Sequence, residues 1–398
     1  MIESWRWFGP LDKITLPEVA QTGARGIVTA LHEIPYGEVW TTDAIEQRKA
    51  LIAEPDLGLE WVVVESLPVH EDIKRGEGKL DQLFANYRQS MANLAQAGIR
   101  TICYNFMPLL DWTRTTLNAP VAGGGTALRF SAVEMAAFEV ITLGLDVPAS
   151  TYSPAVMAEA EAWHASADEA THETLLVSIM AGLPGAYDRY SIEGLKQALA
   201  GYQGIDRAQL RANYARFLNE VVPTAQELGM RLGVHPDDPP RDLLGLPRIV
   251  TGAEDIDFIL SSFPATENGI TLCSGSLGAH PDNDVPAIAK QFADRIHFAH
   301  LRNVAKEANG SFQEAAHLEG DVDMAALIDV LMAEDVQRQA DGRPQFAFRP
   351  DHGHDLLGDA ARRTHPGYPL VGRLRGLAEL RGVIAGLAYK DGRNALNG

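Results

Sequence analysis

The sequence of 398 residues predicts an α/β fold, a single (β/α)8 barrel spanning residues 1–398. Two observations carry that expectation. Short runs rich in Val, Ile and aromatic residues recur along the chain, bounded by Gly or Pro, as strands buried on both faces should be. Longer segments with helical spacing lie between them, and strands that alternate with helices build a parallel sheet. A doubly wound open sheet would satisfy the same alternation, but no Gly-rich phosphate loop follows an early strand. The GGG at 123–125 follows no predicted strand and reads as a flexible loop.

The first strand is read at SWRWFG (4–9), where aromatic residues precede a Gly-Pro stop. GIVTALH (26–32) and WVVVESLP (61–68) follow as β-branched runs. The mixed charges of EDIKRGEGK (71–79) read as a solvated loop. Residues 79–97 place Leu80, Leu83, Phe84, Tyr87, Met91, Leu94 and Ala95 on one stripe of a helix. TICYNFMP (101–108) is the fourth strand. The fifth, MRLGVHP (230–236), begins about 120 residues later, far more than one crossover helix needs. Residues 111–206 are therefore expected to form a helical insertion on the C-terminal face, a lid or a dimer contact, with amphipathic pieces at 131–143 and 154–180. Residues 207–229 form a helix with Leu210, Tyr214, Phe217, Leu218, Val221 and Val222 on its stripe. GITLCSG (269–275), RIHFAHLRN (295–303) and FAFRPDH (346–352) complete the eight strands, and 374–388 closes the chain as a helix.

Composition narrows the function. There are 34 basic and 53 acidic residues, a net charge of −19, which repels nucleic acid and anionic lipid alike. An anionic substrate would need local cations or a metal. Two cysteines, Cys103 and Cys273, allow at most one bridge, as expected of a reducing compartment. The start, MIESWRWFGP, has no signal-peptide pattern, and no apolar run reaches the ~18 residues of a membrane span. The expectation is a soluble cytoplasmic protein.

The C-terminal rim of a barrel carries its chemistry. Strand five ends in His235, strand six carries Cys273, strand seven carries His297 and His300, and strand eight ends in Asp351 and His352. Four consecutive strands thus deliver a metal-capable side chain at one level. His297 and His300 cannot share a face of an extended strand, and His300 is nearer the C-terminal end. Each residue alone has an ordinary explanation: a strand cap for His235, a small core residue for Cys273, a turn cap for Asp351. Two imidazoles, a thiolate and a carboxylate suit Fe2+, Zn2+ or Mn2+ better than Mg2+ or Ca2+, and the thiolate favours iron or zinc. His352 stands beside the set as a general acid or base. Tyr368 lies in a loop that leaves the same rim, and Arg302 and Arg349 flank it as candidate holders of a substrate carboxylate. His280, His354 and His365 read as solvated loop residues.

These residues resemble the mannonate dehydratase family, metal-dependent enzymes of hexuronate breakdown. The resemblance rests on CYNFMPLLDWTRT (103–115), HPDDPP (235–240), LCSGSLGA (272–279), RIHFAHLRNV (295–304), EAAHLEGDVDM (314–324), RPDHGH (349–354) and PGYPLVGRLRGL (366–377), and covers essentially the whole chain. It implies a xylose-isomerase-like barrel that removes water from D-mannonate to give 2-keto-3-deoxy-D-gluconate. It implies His235, Cys273, His300 and Asp351 as metal ligands, His352 and Tyr368 as the catalytic pair, and Mn2+ or Fe2+ as the ion. Loss of the C2 proton and the C3 hydroxyl needs a base and an acid. Tyr368 is read as the base and His352 as the acid, an order that the sequence allows to be reversed. Two rivals share the motifs: a metal-dependent sugar isomerase on the same barrel, and a non-catalytic sugar-acid binding protein. A homo-oligomer, dimer or higher, is compatible with each.

Overall fold

The computed structural model describes residues 1–182, 190–390 and 392. Its strands are β1 (Ile2–Arg6), β2 (Gly26–Thr29), β3 (Glu60–Glu65), β4 (Thr101–Tyr104), β5 (Thr116–Pro120), β6 (Thr126–Phe130), β7 (Arg231–Val234), β8 (Asn268–Cys273), β9 (Ile296–Leu301), β10 (Asn303–Lys306), β11 (Phe312–Ala315) and β12 (Ala347–Pro350). Eight of them close a parallel barrel in the order β1-β12-β9-β8-β7-β4-β3-β2. The eight barrel strands are the eight read from the sequence, each ending earlier than predicted. MRLGVHP stops at Val234 and WVVVESLP at Glu65. In MRLGVHP the Pro236 that follows His235 cannot donate to the ladder, so the chain leaves the sheet there and His235 turns onto the rim.

The helices follow the apolar stripes. The helix Leu80–Gln96 buries Leu80, Phe84, Tyr87, Met91, Leu94 and Ala95 against the barrel. The helix Arg207–Leu228 starts at the Asp206 cap and stops at Gly229, whose φ of 60° few other residues adopt. Its Tyr214 hydroxyl lies 2.7 Å from that of Tyr104, so a buried polar pair joins helix and strand. Among the described residues no helix is long and apolar enough to cross a membrane.

Three features depart from the sequence reading. Residues 71–79 are not simply a solvated loop. Glu71–Arg75 is a short helix that buries Lys74, which donates to Glu71 at 2.6 Å and to the Met107 carbonyl at 2.7 Å. The second departure is an additional antiparallel sheet, in the order β10-β11-β6-β5, on the rim. Segment 111–206 contributes the hairpin β5–β6 as well as the helices Pro154–Ser166, Glu169–Met180 and Ile192–Ala200; its residues 183–189 lie outside the described part. The third is the GGG triplet, which turns that hairpin with φ of 82°, 95° and 91°. A Cβ on Gly125 would stand 2.4 Å from the Asp355 carbonyl oxygen, so glycine permits the hairpin to dock there. Thr126 and Asp355 exchange backbone hydrogen bonds of 3.2 and 2.8 Å at that contact.

The final helix, Leu370–Lys390, begins two residues after Tyr368. Buried Asp359 accepts from the Leu370, Val371 and Gly372 amides at 3.1, 2.9 and 3.0 Å. These are first-turn donors that the helix itself cannot satisfy. Asp359→Ala is expected to destabilise the fold by about 2 kcal/mol, seen as a lower melting temperature, with Asp359→Asn intermediate. An unchanged melting temperature for the alanine variant would show that these bonds do not hold the helix start.

Candidate active site

Strand register brings the candidate ligands to one level. Cys273, the last residue of β8, pairs with His300 of β9, and His300 pairs with Arg349 of β12. His235 and Asp351 each follow their strand by one residue. His297 occupies the opposite face and bonds the Thr266 carbonyl at 2.9 Å, away from this cluster.

His235, Cys273 and His300 place one ligand atom each within 4.8 Å of one another. His235 Nε2 approaches His300 Nδ1 to 3.1 Å. Asp351 Oδ2 lies 3.8 Å from Cys273 Sγ and 3.9 Å from His300 Nδ1. Donors bound to one ion about 2.0–2.3 Å away stand at comparable separations, so this set can hold a metal. The surrounding chemistry fits a cation. Burial opposes ionisation of Cys273, yet Arg302, His235 and His300 outweigh it and hold the thiol well below its ordinary range. Burial also opposes charge on His235, but the Cys273 sulfur raises it to about 9, so the cluster attracts positive charge. Among the described residues His300 Nε2 is buried without a hydrogen-bond partner, with Glu65 Oε2 3.3 Å away. Cys103 is free like Cys273, buried elsewhere in the barrel, and no bridge joins them.

A buried network of ions surrounds the cluster. Arg302 donates to Asp238 at 2.6 Å, to Ser276 at 3.0 Å and to Glu314, and its Nε faces Asp351 at 2.9 Å. Arg349 donates to Glu65 at 2.7 and 3.1 Å and to Asp351 at 2.5 Å. Arg114 bridges Asp238 and Glu314. Arg302 and Arg349, the expected holders of a substrate carboxylate, both meet internal carboxylates in the fold, and of the two Arg349 lines the cleft. Burial opposes ionisation of Asp351, but Arg349, His352, His300 and Arg302 hold it well below the usual carboxylate range.

His352 Nδ1 lies 3.0 Å from Glu314 Oε1. A carboxylate at Nδ1 fixes the tautomer that leaves Nε2 to accept a proton. The Tyr368 hydroxyl donates to Asp351 Oδ1 at 3.2 Å, and its ring meets His352 edge-on at 5.1 Å. Burial and then Asp351 raise the phenol well above its ordinary value. The cleft over these groups has a volume of about 540 Å³ and is walled by the barrel rim and by Trp112, Met180, Ala181 and Gly182 of the insertion.

Two site residues escaped the sequence reading. Glu65 ends β3, and a lone acid closing an apolar strand was the available signal. Glu314 lies on β11 of the additional sheet, inside the quoted EAAHLEGDVDM motif, but nothing local marks it as facing His352. Two loop histidines are also not simply solvated: His354 bonds the Glu314 carbonyl at 2.9 Å, and His365 stacks on Phe8 with centroids 3.9 Å apart.

Comparison with known proteins adds to this geometry. A family model described as D-mannonate dehydratase (UxuA) matches residues 1–393. The chain belongs to the mannonate dehydratase family. It is 52% identical over 384 residues to the mannonate dehydratase of Chromohalobacter salexigens, covering 96% of this chain and 98% of that one. Against the mannonate dehydratase of Marinomonas sp. it is 47% identical over 389 residues, 97% and 99% of the two chains. The crystal structure of mannonate dehydratase from Streptococcus suis serotype 2 superposes with a TM-score of 0.78 at 34% identity, covering 99% of this chain and 95% of that one. A xylose isomerase-like TIM barrel protein from Mycobacterium smegmatis, at 12% identity and a TM-score of 0.50, covers 97% of each chain and shares the fold.

In this mannonate dehydratase family member the metal cluster should depend on its orienting neighbours as well as its ligands. Cys273→Ala is expected to abolish stoichiometric metal after dialysis. Glu65→Gln, which weakens the hold on Arg349 beside His300, should lower metal affinity about 10- to 100-fold in a chelator competition. Wild-type affinity in the Glu65 variant would remove Glu65 from the support of the cluster.

Proposed function

We propose that this chain dehydrates D-mannonate to 2-keto-3-deoxy-D-gluconate, with Mn2+ or Fe2+ held by His235, Cys273, His300 and Asp351. The observation that carries this reading is the His352–Glu314 pair and Tyr368 standing beside the His235/Cys273/His300 cluster, in a chain matched to its family almost end to end. When bound, the ion supplies positive charge to the substrate oxygens that become anionic as the C2 proton leaves.

The remaining work belongs to side chains. The C2 proton of an aldonate is weakly acidic because the adjacent carboxylate is already charged. His352 Nε2, with Nδ1 fixed by Glu314, takes that proton. Hydroxide leaves poorly, so the C3 oxygen needs a proton as its bond to carbon breaks. Tyr368, whose hydroxyl is aimed by Asp351, gives it. This order reverses the one expected from the sequence. Its reason is geometric: Glu314 at Nδ1 leaves His352 Nε2 to accept, whereas the Tyr368 hydroxyl stands as a donor to Asp351. The enol then tautomerises to the keto acid. Asp351 takes part in both tasks, as an ion ligand and as the acceptor that aims the Tyr368 hydroxyl. The insertion, through Trp112 and Met180–Gly182, serves as the lid that keeps bulk water from the cleft.

Metal-stripped protein given back Mn2+ or Fe2+ should form the 2-keto acid from D-mannonate, and no product with either ion would refute the reading. His352→Asn and Tyr368→Phe should both keep metal and lose about 10²- to 10⁴-fold in turnover. The two separate in deuterated water. His352→Asn stops exchange of the C2 hydrogen, whereas Tyr368→Phe leaves exchange running without elimination. The opposite pattern would exchange their roles.

A further inference from the structure

The cleft of an aldonate enzyme must receive a carboxylate, yet the arginines flanking the metal cluster already have acids of their own. Arg302, Arg349 and Arg114 each meet at least two carboxylates of the protein. Among the described residues, the Arg and Lys side chains that line the cleft are those of Arg6 and Arg349. Arg6 is the last residue of β1, and β1 lies beside β12 in the barrel. The register pairs Ile2 with Ala347 and Glu3 with Phe348, so the same count sets Arg6 level with Asp351.

Arg6 is held without being neutralised. Its Nη2 lies 3.0 Å from His32 Nε2, its Nη1 donates to the Val28 carbonyl at 3.4 Å, and its guanidinium packs over Phe8 at 4.5 Å. No carboxylate among the described residues comes within ion-pair distance of it. Burial, then Arg6 and Arg48, hold His32 well below its ordinary value, so the neutral imidazole accepts from Arg6 and adds no charge. Burial likewise lowers Arg6, with Glu65 opposing only in part, whereas Arg302 and Arg349 are raised by their carboxylates despite burial. A buried guanidinium costs the fold desolvation that only an anion offsets in full. Arg373 is another buried guanidinium, but it lies behind Tyr368 against Trp5 and does not line the cleft.

We propose that Arg6, braced by His32 and Phe8, is the residue that binds the substrate carboxylate and sets the aldonate's position against His352 and Tyr368. The proposal rests on the dehydratase reading, and its substrate class is a sugar acid rather than a neutral sugar. The planar fork of the guanidinium matches a carboxylate in a bidentate pair, which fixes orientation as well as affinity.

The test uses metal-loaded full-length protein and two probes: a 3-deoxyaldonate, which has no C3 hydroxyl to lose, and its neutral amide. Calorimetry gives the acid-to-amide affinity ratio for wild type, Arg6→Gln and Arg6→Lys. The expected result is a wild-type preference for the acid that falls about 10- to 100-fold in Arg6→Gln and less in Arg6→Lys, which keeps the charge but loses the fork. Both variants should keep their metal. If Arg6→Gln fails to fold, Arg6→Lys and His32→Gln carry the test, each expected to lower the ratio. A wild-type ratio in the variants, or no acid preference in the wild type, overturns the proposal. Turnover of D-mannonate by the wild type is scored separately. Its absence sinks the dehydratase reading, while the acid-to-amide ratio still judges Arg6.

Discussion

The guanidinium of Arg302 is the point on which this site hangs. It is fully buried, and it meets Asp238 beyond β7, Ser276 beyond β8, Asp351 beyond β12 and Glu314 on β11. The Ser274 hydroxyl accepts from its backbone amide at 3.0 Å and donates to its carbonyl at 2.6 Å. A Cβ on Gly275 would stand 2.5 Å from Arg302 Cγ, so only glycine lets the side chain lie there. Arg302 is also the residue at which the chain leaves β9 of the barrel and enters β10 of the additional sheet. One cation thus ties three barrel strands to the second sheet. Charges this deep are costly unless each is met, and breaking one partner strands the others. The network therefore constrains Asp351, the proposed fourth ligand, and Glu314, the partner of His352, together.

That dependence explains why the additional sheet matters. It supplies Glu314 to His352 from β11, and its hairpin β5–β6 docks through Thr126 on Asp355, three residues beyond His352. From the other side, Asp359 fixes the helix that follows Tyr368. The two catalytic candidates are held by separate elements, and Asp351 lies between them with a bond to Tyr368 and an ion pair to Arg302. A loop between β12 and the last helix becomes precise because its neighbours are rigid.

What the sequence made legible follows the range of each interaction. Barrel strands and long helices were readable because apolar periodicity is local, as in Leu80–Gln96 and Arg207–Leu228. His235, Cys273, His300 and Asp351 could be placed at one level because strand ends in a parallel barrel share one rim. The second sheet was not legible: β6 pairs with β11 through Phe130 and Phe312, and no local pattern announces a partner so distant in the chain. Glu314 was lost with it. The same cause hid the partners of Arg302 and Arg349. Residue type suggests an anion, but only the fold reveals that Asp238, Glu314, Asp351 and Glu65 already provide one. Arg6 went unremarked because it sits in an aromatic run that reads purely as strand.

A chain with a net charge of −19 that takes an anionic substrate must solve the problem locally. Exposed acids act through solvent and are screened beyond about 8 Å at physiological ionic strength, so the surface repels only weakly within the cleft. Inside, low dielectric strengthens whatever charge remains unpaired. Glu65, Asp238, Glu314 and Asp351 outnumber Arg114, Arg302 and Arg349 by one, which with the Cys273 sulfur leaves negative charge for an ion, while Arg6 meets no carboxylate among the described residues. The rim is thereby divided. The strands from β7 to β12 carry the candidate metal ligands, β1 presents Arg6, and β1 and β12 are neighbours in the barrel. Arg6, His352 and Tyr368 all line the one cleft that opens over that seam. Charge balance in the barrel, rather than the net charge of the molecule, sets where the substrate lies.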